Sequence, residues 1–183
     1  MSSLQGQFLI ASPHLCDPNF FRSVVLIVQH TSEGAFGLVI NRPSDRNVRE
    51  VWSLLGDEPC ACDLPMYAGG PVDGPLAALH TDAALAEQEV CPGVYCSAEK
   101  ERLDQLVQQP PWGLRIFNGY SGWGEDQLEN ELEAGGWLTA PASVGDVFGD
   151  ADEVWCRLSR QINLDILASA LDPKHVPDDP SLN

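Results

Sequence analysis

Basic residues are scarce in this sequence: 10 Lys and Arg stand against 27 Asp and Glu, giving a formal net charge of −17. Such a surface repels polyanions on average, so direct nucleic-acid binding is disfavoured and no membrane partner is expected. The acidity reads first as a contribution to solubility. Long apolar runs are also missing, since none approaches the ~18 residues of a bilayer span. The opening MSSLQGQFLIASP has neither a basic n-region nor a long apolar h-region, so a cytoplasmic protein is expected. The cysteines (Cys16, Cys60, Cys62, Cys91, Cys96, Cys156) lack the doubled C-x-x-C spacing of a zinc site. In a reducing compartment they should be thiols. No metal and no cofactor is expected.

What remains is an ordinary globular composition. A hydrophobic share of 44% and a charged share of 20% support a packed core rather than general disorder. A chain of 183 residues can bury roughly 70% of its unfolded surface as one domain. That domain is expected over 1–171, with 172–183, rich in proline and acids, as a mobile tail.

Val24 to Val28 and Ala35 to Ile40 are unbroken apolar runs separated by His30-Thr31-Ser32-Glu33-Gly34, the pattern of a hairpin. Continuous apolarity implies strands covered on both faces, hence a central place in a sheet. Pro43 cannot donate to a ladder and is expected to end the second strand. From Asn47 the period changes: Val48, Val51, Trp52 and Leu55 share one helical face, Asn47 and Glu50 have capping-box spacing, and Gly56 is the expected stop. A loop is expected over 57–65, then short strands at Tyr67-Ala68, Leu76 to His80 and Val94 to Cys96. Ser97 is placed to cap a helix running to about Gln109, before Pro110-Pro111. Leu114 to Asn118 reads as a strand, Gly119 to Gly124 as a turn, and the following segment as a helix bearing Leu128 and Leu132. A fourth helix begins at Asp150, with Glu153 as capping partner, and buries Val154, Trp155, Leu158 and Ile162.

Four segments together match one pattern. They are Gly6 to Ala11 with Asp17, Phe20, Arg22 and Ser23; GAFGLVINRP from Gly34 to Pro43; Gly69-Gly70-Pro71-Val72; and GYSGWGEDQLENEL from Gly119 to Leu132. The chain resembles the AlgH/YqgE family of bacterial proteins over about Gly6 to Leu171. The resemblance implies an α+β fold, a single domain with a bent, mixed, mostly antiparallel sheet forming a partial barrel, flanked by about four helices. It also implies a regulatory protein, whose family name comes from control of alginate production rather than from a known reaction, and it carries over no catalytic residues. The sequence departs from the family after Val72. Asp73-Gly74-Pro75-Leu76-Ala77-Ala78 stands where an Arg-Gly-Phe-like stretch usually precedes Leu79-His80, so a role tied to that arginine does not transfer.

Two places could carry chemistry. With the hairpin turn centred near Ser32, Arg22 falls opposite Arg42. Two guanidiniums about 5 Å apart repel by roughly 1–3 kcal/mol, so a carboxylate or a bound anion should lie between them. Asp17 is the nearest acid in sequence. The arrangement is either an Arg-Asp-Arg network or a site for an acidic ligand. The glycine-rich Gly119 to Gly124 passage from strand to helix is the second place, with Tyr120, Ser121, Gly122 and Trp123 either as packing anchors or as a recognition surface. It lacks a P-loop lysine, and Trp123 replaces the last glycine of G-x-S-x-G. Ser121 as nucleophile would need a base from His14, His30 or His80. Cys60-Ala61-Cys62, in an acidic loop, is expected to hold unreactive thiols. Arg42, Arg46 and Arg49 form a basic cluster that reads as a solvated face.

These observations favour a non-enzymatic regulatory or binding protein, a transcriptional regulator acting indirectly through a protein or a small acidic ligand. The alternative is a small hydrolase or transferase using the Gly119 to Gly124 turn.

Overall fold

The apolar runs of the hairpin lie at the centre of a two-sheet architecture. The structure is a computed structural model that describes residues 3–13, 15, 17–55, 60 and 62–170, without the side chains of 169 and 170. The strands are β1 (Gln7–Ala11), β2 (Val24–Thr31), β3 (Gly34–Val39), β4 (Pro43–Asn47), β5 (Pro65–Ala68), β6 (Ala77–His80), β7 (Gln88–Cys91), β8 (Val94–Ser97), β9 (Leu114–Asn118), β10 (Ser121–Trp123) and β11 (Trp137–Pro141). The helices are α1 (Val48–Leu54), α2 (Lys100–Gln108), α3 (Gln127–Glu133), α4 (Val144–Val147) and α5 (Val154–Ala170). One sheet has the order β10-β3-β2-β1-β11, the other β4-β5-β9-β6-β8-β7. Every pairing between the named strands is antiparallel except β5 with β9. The fold is therefore α+β and mostly antiparallel, with partly curled sheets and no closed barrel.

Strand alternation distributes the apolar side chains over three interiors. Phe8, Ile10, Leu26, Leu38 and Ile40 of the five-stranded sheet meet Leu79 and Phe117 of the other between the sheets, where Val147, Val154 and Leu158 close the side. The opposite face of the five-stranded sheet, with Leu9, Val25, Ile27 and Val39, packs on Trp123, Leu128 and Trp137. The outer face of the six-stranded sheet, with Met66, Ala78 and Ile116, is covered by Val48 and Trp52 of α1 and by Leu103, Leu106 and Val107 of α2. Both hairpin strands sit centrally, as their unbroken apolarity requires. Burial of both faces of their sheet explains why so few of their residues are polar.

Local signals held where no tertiary partner competes for them. The Asn47 side chain accepts from the Glu50 N–H while the Glu50 carboxylate accepts from the Asn47 N–H, completing the capping box. Asp150 Oδ1 accepts from the N–H groups of Asp152 and Glu153 at the entry to α5. Three expectations are corrected. The second hairpin strand stops at Val39, and Pro43 instead opens β4, an edge strand where its missing donor costs nothing. Ser97 does not cap α2, whose N-cap is Glu99 without a side-chain bond, because its hydroxyl donates to the Leu85 carbonyl. Gly119 to Gly124 is not wholly a turn, since Ser121–Trp123 forms β10 and pairs with β3. The stop at Gly56, residues 57–59 and 61 of the expected loop, His14, Cys16 and the tail lie outside the described residues. Among the described residues no helix is long and apolar enough to cross a membrane.

Candidate functional site at the sheet crossings

The chain passes between the sheets twice near the motifs, from β3 to β4 through Ile40-Asn41-Arg42 and from β9 to β10 through Gly119-Tyr120. The second crossing is a backbone seam. Val72 and Tyr120 exchange N–H···O bonds of 3.0 and 2.9 Å, and the Gly69 carbonyl accepts from Val39 N–H at 2.8 Å and from Ser121 Oγ at 3.2 Å. A Cβ on Gly69 would lie 2.2 Å from the Gly119 carbonyl oxygen, and one on Gly70 2.3 Å from the Tyr120 carbonyl carbon. The Gly69-Gly70 and Gly119 motifs are thus glycine because two backbones touch there, which sheet joining requires and ligand binding does not.

Ser121 is fully buried, and its hydroxyl hydrogen is committed to the Gly69 carbonyl. Tyr120 tilts against Phe36 at 5.2 Å. Gly122 pairs with Phe36 across the ladder. Trp123 turns into the outer core, where its indole N–H and that of Trp137 both donate to Glu131 Oε2, at 3.0 and 2.8 Å. Ser121 and Trp123 are buried, while Tyr120 is half-buried and Gly122 exposed. Gly124 N–H is taken by the Gln127 side chain.

The β3–β4 crossing is different in kind. Arg115, 5% exposed, donates to the carbonyls of Ile40 and Gly149 and lies 4.7 Å over the Tyr67 ring. Burial pushes its guanidinium below the ordinary arginine value, with Tyr67 and Asp150 opposing. Arg42 donates to the Phe21 carbonyl at 2.7 Å. Arg22 adopts a left-handed backbone, φ 54°, and its guanidinium sits 5.1 Å from the Phe21 ring and 5.3 Å from the Trp155 ring. Asn41 staples the crossing by accepting from Val24 N–H and donating to the Arg22 carbonyl. Arg22 and Arg42 therefore converge on Phe21, one at its ring and one at its carbonyl. Asp17 is not between them: its carboxylate accepts from Asn19 N–H as the cap of a short 3₁₀ turn. The Arg-Asp-Arg network is absent among the described residues. The guanidiniums instead use carbonyls and aromatic faces, and neither is paired with a carboxylate there.

A serine–histidine pair that the sequence reading did not single out lies in the six-stranded sheet. His80 Nε2 is 3.0 Å from Ser97 Oγ, and both residues are buried. Because Ser97 donates its one hydrogen to Leu85 O at 2.7 Å, His80 must be the donor, with its proton on Nε2. A histidine in that tautomer cannot take the serine's proton, so the pair is a packing contact rather than an activated nucleophile. His80 Nδ1 has no hydrogen-bond partner among the described residues. Burial lowers its pKa, and the nearby Asp82 only partly offsets that. His30 is pinned elsewhere, accepting from Leu4 N–H on Nδ1 and meeting Glu129 at 2.9 Å.

The main cause that raises the thiols of Cys62, Cys91 and Cys96 is burial rather than the neighbouring carboxylates expected from the sequence. Cys60, Cys62, Cys91 and Cys96 are buried. Burial raises Cys62 and Cys91, and raises Cys96 to about 12, with neighbouring carboxylates a smaller contribution. Among the described residues no three His, Cys, Asp or Glu side chains converge as metal ligands. Arg49 pairs with Asp63 at 2.7 Å, and of the Arg42–Arg46–Arg49 cluster Arg46 and Arg49 are exposed and Arg42 is half-buried. Arg46 lines a cavity of about 580 Å³, and Tyr120 lines a smaller one of about 310 Å³ between the sheets.

Comparison with known proteins places this architecture. The AlgH-like family profile matches residues 8–167. A UPF0301 protein of Streptomyces coelicolor is 37% identical, covering 100% of this chain and 97% of its own length. One from Chlorobaculum tepidum is 39% identical, covering 85% and 84%. The solution structure of the AlgH protein from Pseudomonas aeruginosa superposes with a TM-score of 0.74 at 35% identity, covering 92% of this chain and 94% of that one. A crystal structure from Corynebacterium diphtheriae gives 0.71 at 26% identity, with 88% and 87% covered. With its glycine seam, its two crossings and its full-length relatives, the chain belongs to the AlgH-like family of UPF0301 proteins.

Proposed function

We propose that the protein is a non-enzymatic binding protein whose recognition surface is the β3–β4 crossing, and that it takes an acidic segment of a protein partner. The observation that carries this reading is the pairing pattern of Arg22 and Arg42. In a chain with 27 acidic residues, neither guanidinium has a carboxylate partner among the described residues, and each is held in place by an aromatic ring or a carbonyl. Phe21 beside them is 61% exposed. Arginine and aromatic side chains on an open, pre-organised surface are the usual anchors of protein interfaces. A regulatory effect would run through that partner rather than an operator, because the net charge of −17 repels a long phosphate backbone along its whole contact, whereas a short acidic segment needs only the local Arg22–Arg42 surface.

Anisotropy of a fluorescein-labelled octaglutamate peptide tests the proposal against a glutamine peptide and against inorganic phosphate as competitor. Losing a charge-assisted bond of about 1.5–3 kcal/mol should weaken the acidic peptide by about tenfold or more in Arg42→Gln and Arg22→Gln. The glutamine peptide should not bind. Equal affinity in wild type and both variants refutes the reading. Displacement by phosphate at concentrations that leave the peptide no advantage would assign the site to a small anion instead.

A further inference from the structure

A second site lies just past that crossing, where β4 leaves its neighbour. Pro43 pairs with Tyr67 and Asn47 with Pro65, so four steps along β4 answer two along β5. The surplus bows Ser44-Asp45-Arg46 away from the sheet, and Met66 has no partner position on β4. Bulges of this kind at sheet edges commonly re-aim side chains beside a site. Ser44, Asp45 and Arg46 of this segment line the cavity of about 580 Å³ together with Met66, Tyr67 and Ala68 of β5. That size lies within the range of small-molecule sites.

The lining has two chemically distinct parts. Val51 of α1 and Leu55, the residue that caps its C-terminus, line the cavity with Leu76 as an apolar part, and Leu55 is 54% exposed although it continues the buried face of the helix. Asp45 and Arg46, consecutive in the bulged segment, both line the cavity, with Asn118 at the end of β9. Neither the Asp45 carboxylate nor the Arg46 guanidinium has an ion-pair or side-chain hydrogen-bond partner among the described residues, and they do not pair with each other. Adjacent opposite charges beside an apolar wall match a ligand with an ammonium and a carboxylate on neighbouring atoms and an apolar body. A simple fatty acid would meet repulsion from Asp45, and an apolar amine would meet it from Arg46.

We infer that this cavity binds a zwitterionic amino acid with a large apolar side chain, its carboxylate on Arg46, its ammonium on Asp45 and its side chain against Val51, Leu55 and Leu76. The site is distinct from Arg22 and Arg42 and does not depend on the acidic-segment reading. Calorimetric titration of the full chain with L-phenylalanine, phenethylamine and 3-phenylpropionate tests it. Phenylalanine should bind saturably. Each analogue should bind about tenfold more weakly, since each lacks one charged contact. Arg46→Gln should weaken phenylalanine about tenfold while phenethylamine binds no more weakly than to wild type, and Asp45→Asn should weaken phenylalanine about tenfold while 3-phenylpropionate binds no more weakly than to wild type. Both substitutions are at exposed positions, and an unchanged thermal midpoint without ligand checks the fold. Absence of saturable phenylalanine binding to wild type would overturn the inference. So would either analogue binding as tightly as phenylalanine, or affinity unaffected by both substitutions.

Discussion

Replacing Gly69 by alanine places a methyl group against the backbone of the β9–β10 crossing. The added Cβ would sit 2.2 Å from the Gly119 carbonyl oxygen and 2.9 Å from Leu38 Cδ2. Ordinary contact needs about 3.5 Å, so the two segments must part by more than ~1 Å. Overpacking of this kind costs about 1–3 kcal/mol. The same movement strains the 2.8 Å bond from Val39 N–H to the Gly69 carbonyl and the 2.9 Å bond from Gly69 N–H to Asn118, worth about 1 kcal/mol each. The expected loss is about 3–5 kcal/mol, a large part of a total stability of about 5–15 kcal/mol. For a chain of 183 residues it lowers Tm by roughly 6–20 °C. Differential scanning calorimetry with Gly124→Ala as control isolates the effect, because a Cβ there meets nothing within 4 Å and should change stability by about 0.5 kcal/mol or less. Equal midpoints for Gly69→Ala and Gly124→Ala would refute the claim that the glycine motif exists for the sheet crossing.

Two further outcomes follow from individual side chains. The buried His80 has a pKa lowered from its ordinary 6.5, so the unfolded chain takes up the proton first as pH falls. Its stability contribution is present above that value and is lost as pH drops below it. In His80→Gln, whose amide can still donate to Ser97, denaturant titrations should show a shallower loss of stability over the acidic side of that window, and parallel curves would contradict the assignment. Asn47→Ala removes the α1 cap that accepts from Glu50 N–H at 2.9 Å and should cost about 1 kcal/mol in chemical denaturation, with no change showing that the cap is dispensable.

The legible parts of the fold were those written in unbroken or strictly periodic patterns. The hairpin needed only its two apolar runs, and α1 needed only Asn47, Glu50 and the spacing from Val48 to Leu55. Strand β7 has its accessible residues together at Gln88-Glu89 and its buried ones together at Val90-Cys91, β11 buries only Trp137, and α4 is a single turn, so none has a strong period to read. Ser97 was misread because a distant carbonyl, Leu85 O, outcompetes the helix N-terminus for its hydroxyl. The arginine pair shows the same limit. The inferred register holds from Val25–Val39 to Ile27–Gly37, but extending it to Arg22 and Arg42 assumes a ladder that has already ended. Beyond it, a left-handed residue turns Arg22 toward Trp155 of α5, a contact that no local pattern encodes. Asp17, adjacent in sequence, is held by its own turn. Likewise the bow of β4 depends on how two strands register, which single-strand patterning does not contain.

Backbone and indole NMR of the full chain during titration with octaglutamate interrogates the recognition surface residue by residue. Saturable shifts should cluster at Phe21, Arg22, Asn41, Arg42 and the Trp155 indole N–H, and should vanish in Arg42→Gln. Shifts centred on Tyr120–Trp123 or on the β4 cavity, or a spectrum indifferent to the peptide, would contradict the account.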